Sequence, residues 1–221
     1  MNAGRVLGVT MGRRPDIKQS RRIELIEATI DSLAKHGFAE ITLGQVAKAA
    51  RLSQGIVNFY FRSKDALLVE TLKYMAEEYE RFWIAAVHRA GPNAADKLAA
   101  MIAADFDPVM ASRKKVTVWY AFWGEARWRP EYLKICQTLS ESYFAETASL
   151  CRELAETGSY ADVDPDRIAR GLNAMIDGLW LDILTSPTAI DRREAKRTCL
   201  AFLASVFPRE FSGHVAAARA A

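Results

Sequence analysis

Two groups of residues in this chain have the types and spacing to do chemistry, and in both it is the chemistry of binding. The first runs from residue 42 to residue 64. Thr42 and Ser53 stand where short apolar-periodic runs begin; there a side-chain oxygen caps a helix and leaves backbone N–H groups free to meet an anion. Gln54 and Asn58 are uncharged and polar, suited to hydrogen-bonding the edge of a base, and Gly55 between them lets a backbone come close. Phe59 and Tyr60 can pack against sugar–phosphate, and Tyr60 adds a hydroxyl donor.

The second group is Trp119, Tyr120, Phe122, Trp123 and Trp128, five aromatics in ten residues where a chain that is 10% aromatic would have one. Trp119 and Trp123 share a helix face, and Tyr120 reaches Trp123 three positions on. Such walls recognise a quaternary ammonium, each ring face contributing about 0.5–2 kcal/mol. A carboxylate would complete the site, and Glu125, Asp177 and Asp105 can supply it; Asp177 lies one turn from Trp180. An aromatic stripe at helical spacing is also what a packed core looks like, and Asp177 would equally serve as a bridge between helices.

The elements that must position these residues are helices. Thr42 and Gln45 have capping-box spacing, and Leu43, Val46, Ala47 and Ala50 form one apolar face. Arg51-Leu52 makes a turn, Ser53 caps a second short helix, and Ser63 caps a long one that stops at Gly91-Pro92. That is the outline of a helix-turn-helix followed by a long helix. Upstream, Ser20 is expected to cap a helix over 21–36, with Ile23, Ile26, Ile30, Leu33 and Ala34 in one stripe and Gly37 at its end. Downstream, helices are expected at about 94–110, 113–128, 131–157, 165–185 and 192–207, with Asp164-Pro165 and Asp191 opening the last two.

The expected fold is therefore all-α with about nine helices. A three-helix domain occupies 20–64, a larger helical body 65–210, a flexible basic arm 1–19 and a frayed tail 211–221. Arg13, Arg14 and Lys18 of the arm could reach phosphates or simply be solvated. Gly171, Met175, Gly178, Leu179, Leu200, Leu203 and Val206 on the last two long helices look like a face for a second copy of the chain.

Charge divides along the same boundary. Residues 1–64 carry 11 Lys/Arg against 5 Asp/Glu, net +6, and the rest 19 against 22, net −3. A basic head on a mildly acidic body suits a nucleic-acid partner, although a solvated basic face would give the same sums. Cys136, Cys151 and Cys199 are odd in number and widely spaced, and the three histidines have no neighbouring ligand pattern, so neither a disulfide framework nor a metal site is suggested. No nucleophile–base pair or phosphate loop argues for an enzyme, and no cofactor is called for. No apolar run reaches the roughly 18 residues needed to span a bilayer, which leaves the cytoplasm as the default.

The pattern G-F-x-x-x-T-x-x-x-V-A-x-x-A-x-x-S-x-G-x-x-x-x-Y-F-x-S-K-x-x-L from Gly37 to Leu67 resembles the N-terminal domain of the TetR family of repressors. V-x-x-W-Y-A-F-W-x-E-A-x-x-x-P from Val116 and A-M-I-D-G-L-W-L from Ala174 are similar to its BetI-type subgroup, in which choline relieves repression of choline-uptake and glycine betaine genes. The resemblance implies a homodimer on a palindromic operator in double-stranded DNA. It implies DNA contacts at Thr42, Ser53, Gln54, Gly55, Asn58, Phe59, Tyr60 and Lys64, and a small-molecule inducer, choline, near Trp119, Tyr120, Trp123, Asp177 and Trp180. Another cationic or hydrophobic inducer would suit the same aromatics. Arg51 departs from the family's usual glycine, so it should need a left-handed backbone or the turn should be altered; Asn58 and Gly44 also depart, which should alter the operator that is read.

Overall fold

The structure, a computed structural model, describes residues 17–186, Thr188 and residues 190–220, and among these it is all helix and turn, without a strand. The order is α1 (Ile17–Glu40), α2 (Leu43–Ala49), α3 (Gln54–Tyr60), α4 (Lys64–Arg89) and α5 (Ala94–Asp105), then α6 (Arg113–Ala126), α7 (Pro130–Thr157), α8 (Pro165–Thr185), α9 (Arg192–Val206) and α10 (Pro208–Ala220). Side-chain caps set the starts: Thr42, Ser53, Ser63, Asn93, Ser112, Asp164 and Asp191 each accept from a backbone N–H in the first turn of the helix they open.

Three boundaries differ from expectation, and one, the break at Gly37, agrees with it. Helix α1 starts at Ile17, ahead of Ser20, so Lys18 belongs to it; Arg13 and Arg14 lie outside the described residues. Its span is broken at Gly37, where φ is 76°, and Phe38 turns back to pack on Phe122 and Tyr132. Helix α5 stops at Asp105 because Pro108 disfavours a helical Asp107, whose carboxylate instead accepts from the Val109 N–H at 2.8 Å. Residues 211–220 of the tail expected to fray are helical. Pro208 opens α10 instead of ending the fold, and the buried rings of Phe207 and Phe211 hold it down while Arg209 donates to the Gly158 carbonyl.

In the head, α1 and α2 close over Leu25, Ile30, Leu33 and Val46, with Phe61 buried as an anchor and the Arg22 guanidinium over its ring. Helix α4 begins in this core through Leu67 and Leu68 and continues into the body, where Met75 and Trp83 are buried. Ion pairs tie the two parts: Lys114 to Asp31 at 2.8 Å, and Arg129 to Asp65 at 3.0 Å. Leu179, Leu200 and Leu203 prove to be core of the chain itself, because α5 and α7 pack against α8 and α9 from inside. The face those two helices leave open carries Gly171, Gly178 and Leu181, with Met175 and Val206 half-buried.

Candidate functional site

On the head, the polar residues of α2 and α3 share one surface. Thr42 Oγ1 accepts from the Gln45 N–H at 3.2 Å and the Gln45 side chain accepts from the Thr42 N–H at 2.8 Å, the reciprocal box its spacing predicts. A Cβ at Gly44 would lie 3.8 Å from both Thr42 Oγ1 and Gln54 Oε1, so the two helix starts converge there. Arg51 makes the turn with φ 56°, the left-handed backbone expected of it. Val57 alone is buried on α3, while Ser53, Gln54, Gly55 and Asn58 are exposed and Phe59 is 75% exposed.

Nothing inside the chain requires glycine at 55, where a Cβ would meet only Ser53 Oγ at 3.8 Å; its smallness is directed outward. Tyr60 is half-buried with its ring edge-on to Phe59. Lys64 lies at the rim, its Nζ 3.5 Å from the Phe38 carbonyl, within reach of an anion on that side. Such a surface presents helix N-termini, uncharged hydrogen-bonding side chains and a ring 75% exposed, the combination that fits a duplex groove.

In the body, α4, α6, α7 and α8 line a half-open cavity of about 180 Å³. Trp119, Trp123 and Trp180 form its aromatic wall with Tyr79 and Tyr143, and Asp177, Asn173 and Ser140 supply its polar atoms. The rings brace one another: Tyr79 packs at 5.9 Å from Trp180 and 6.3 Å from Trp119, which lies 6.0 Å from Trp123. Asp177 is solvent-accessible at the mouth, yet its carboxyl is crowded enough that burial pushes its pKa up to about 6.

Beneath the wall, fully buried Asp105 accepts from Tyr79 Oη at 2.5 Å and Tyr143 Oη at 2.6 Å, and its backbone carbonyl accepts from Trp180 Nε1 at 3.0 Å. Burial raises its pKa to about 7 against the pull of the two phenols.

Of the residues expected at a ligand, Trp119, Trp123, Asp177 and Trp180 meet at the cavity. Tyr120 does not line it; its hydroxyl donates to the Asp177 carbonyl at 2.5 Å and its ring braces Trp123. Glu125 is elsewhere, paired with Arg129 at 3.3 Å, and Trp128 is 75% exposed beside Arg127. Phe122 is core. Sequence reasoning misses Tyr79, Tyr143 and Asn173, and the available signal is thin: Asn173 precedes Asp177 by one turn on the face of Trp180. Among the described residues there is no group of three His, Cys, Asp or Glu that could hold a metal, and no helix long and apolar enough to cross a membrane.

Comparison with known proteins places both regions. Residues 25–71 match the family of bacterial regulatory proteins named for TetR, and residues 94–208 the C-terminal domain of BetI-type transcriptional repressors. The HTH-type transcriptional regulator BetI of Paraburkholderia xenovorans is 34% identical over 185 residues, 82% of this chain and 91% of that protein. Its counterpart in Burkholderia lata is 34% identical over 182 residues, 81% of this chain and 90% of that one.

A transcriptional regulator of Pseudomonas aeruginosa superposes with a TM-score of 0.78 at 28% identity, covering 89% of this chain and 96% of its own. One of Saccharomonospora viridis, crystallised in complex with choline, has the same fold with a TM-score of 0.74 at 20% identity, covering 84% and 96%. With both halves matched in order and relatives aligned along most of its length, the chain belongs to the TetR family of bacterial transcriptional regulators, with a BetI-type C-terminal domain, and works by binding and not as an enzyme.

Proposed function

We propose that this regulator is a homodimeric repressor that holds a palindromic operator until a small quaternary ammonium ion, choline, enters the body cavity. The observation that carries the reading is the meeting of Trp119, Trp123 and Trp180 with Asp177 around one half-open space: ring faces and a carboxylate are what an ammonium ion with no N–H needs. The volume suits it. A cavity of about 150 Å³ takes benzene, a molecule of similar heavy-atom count, and this one is about 180 Å³. The BetI name of the relatives supports the same ligand.

On DNA, Gln54 and Asn58 would read base edges in the major groove. Thr42, Ser53, Tyr60 and Lys64 would hold the backbone, with Phe59 against sugar and Gly55 allowing the approach. The open face of α8 and α9 with Gly171, Gly178 and Leu181 suits close packing against a second copy, which would set two α3 helices about 34 Å apart.

Release follows from shared elements. Helix α6 turns Trp119 and Trp123 to the cavity while its Phe122 packs on Phe38 of the head at 5.9 Å and its Lys114 pairs with Asp31. Helix α4 carries Tyr79 to the cavity and starts one turn after α3. A ligand that binds better when α4 and α6 have shifted would respace the heads, and a few kcal/mol of differential affinity suffices. Gel-shift titration on a palindrome upstream of the gene tests this: choline should abolish the shift at concentrations near its own Kd. A shift unchanged by saturating choline would sink the choline assignment.

A further inference from the structure

We infer that cation binding in the body cavity is coupled to proton release: Asp105, behind the aromatic wall, gives up its proton when a cation enters and serves as the cation's buried counter-charge. The inference rests on the cation reading above and adds its regulation by pH. Asp105 ends α5, is fully buried and does not line the cavity, but the two side chains that donate to its carboxyl, Tyr79 and Tyr143, both do. Trp180, also of the wall, donates to the Asp105 backbone carbonyl at 3.0 Å and fixes the end of α5 there. A charge in the cavity and a charge on Asp105 are therefore separated by one layer of rings.

The carboxyl has two phenols to stabilise its anion and no positive partner. The groups that face it are Tyr79 from α4, Tyr143 from α7, Asp177 from α8 and Cys199 from α9; none is a cation, and Asp177 opposes ionisation. A buried carboxylate is stable beside a positive charge, and without one it takes up a proton. The free protein accordingly holds that proton up to about pH 7. The cluster can gain or lose it without repacking. Ionised, Asp105 accepts from both phenols. Protonated, its hydroxyl turns to one phenol, whose own proton turns to the other, so the three groups stay joined. A cation against the rings lies roughly 6–8 Å from the carboxyl, where its attraction at an effective dielectric of about 20 shifts the proton equilibrium about tenfold to a hundredfold. The proton passes to solvent at the cavity's open side, and no other bond changes. Cation and proton compete, so by reciprocal linkage the cation binds more tightly as pH rises.

Calorimetry of choline binding to the full-length protein, in buffers of different ionisation enthalpy, counts the protons released. At pH 7, where Asp105 is about half protonated and Asp177 nearly all ionised, binding should release about half a proton. From pH 6 to pH 8 the affinity should rise about five- to tenfold through Asp105, beside about twofold from Asp177. Asp105→Asn, of the same shape, should cut the release at pH 7 to about a tenth of a proton and keep only the twofold rise. Choline binding without proton release would overturn the inference while leaving the cation reading standing. A release that survives Asp105→Asn would overturn it too, since Asp105 would not be its source. Failure of choline to bind at any pH would overturn the cation reading and this inference with it. Should Asp105→Asn not fold, Tyr143→Phe decides: it removes a phenol that favours the anion, so the pH of greatest release should move up by about one unit, and an unmoved maximum overturns the assignment.

Discussion

The recognition face and the cavity are built by opposite rules. Helix α3 buries Val57 and turns nearly everything else outward, so its polar groups wait for a partner that comes from outside. The cavity turns its groups inward, and most are engaged with one another: rings brace rings, two phenols hold Asp105, and Asn173 Oδ1 is left over. A face made of one short segment can be changed residue by residue with little effect on stability. A cavity drawn from four helices couples binding to the fold itself.

The largest effect expected tests that separation. Gln54→Ala with Asn58→Ala should weaken operator binding by about 10²–10³-fold, since each base-directed contact is worth about 1–3 kcal/mol. The melting temperature and the affinity for choline should stay put. Fluorescence anisotropy with labelled operator reads the first, and thermal melts and calorimetry the others. A pair of substitutions that also changed cation affinity would mean the two regions are not separable as drawn.

The cavity should show the converse dependence of stability on its buried acid. The folded chain holds the Asp105 proton up to about pH 7, whereas an unfolded aspartate loses it near 3.8. Between these values the folded state binds more protons, so stability falls as pH rises and levels off above about 7, a change on the order of 4 kcal/mol. The groups around it are Tyr79 from α4, Tyr143 from α7, Cys199 from α9 and Asp177 from α8. The first three stay protonated across that range, burial having pushed each upward, but Asp177 titrates inside it. Urea melts from pH 4 to 8 on Asp177→Asn and on the same protein with Asp105→Asn added isolate the contribution of Asp105. The second should be nearly flat; equal slopes would mean that Asp105 ionises freely.

Trp123→Ala should come next, weakening choline by about tenfold through the loss of one ring face, with operator affinity in the absence of choline unchanged. Choline affinity should also fall as pH drops through about 6, where Asp177 takes up its proton, by at most tenfold per unit. A cation that bound equally at pH 5 and 8 would leave Asp177 without its role.

The same contrast explains what is legible in the sequence. Thr42 with Gln45, and Asp191 with Glu194, are local arrangements whose meaning lies within four residues, and the helices start where they indicate. Tyr79 and Tyr143 join the cavity only because α4 and α7 pack beside α6, a fact with no local signature. Glu125 is near the cavity tryptophans in sequence but two residues from Trp123, on another face, and Arg129, one turn away, claims it. Leu179, Leu200 and Leu203 read as a partner's contact surface because periodicity marks an apolar face without saying whether the chain or a second copy covers it. Pro208 reads as a stop, yet proline serves as well at a helix start, and buried Phe211 lies beyond the last long apolar stripe.

The smallest effect expected falls on the turn, where fold and recognition face meet. Arg51 sits at φ 56°, a conformation that costs a side-chain-bearing residue on the order of 1 kcal/mol, while glycine adopts it freely. Arg51→Gly should therefore raise the melting temperature, but only by about 1–3 °C, because glycine also loosens the unfolded chain. Arg51 is exposed beside Ser53 at the start of α3, so losing its charge should lower the salt dependence of operator binding by about one counterion. Arg51→Asn, uncharged and tolerant of the same backbone, separates the two: it should match the glycine variant in salt slope and fall between it and the unmodified protein in stability. A glycine variant no more stable than the unmodified protein would show that the turn carries no strain. A salt slope unchanged in both variants would place Arg51 beyond reach of the phosphates and draw the boundary of the recognition face at Ser53.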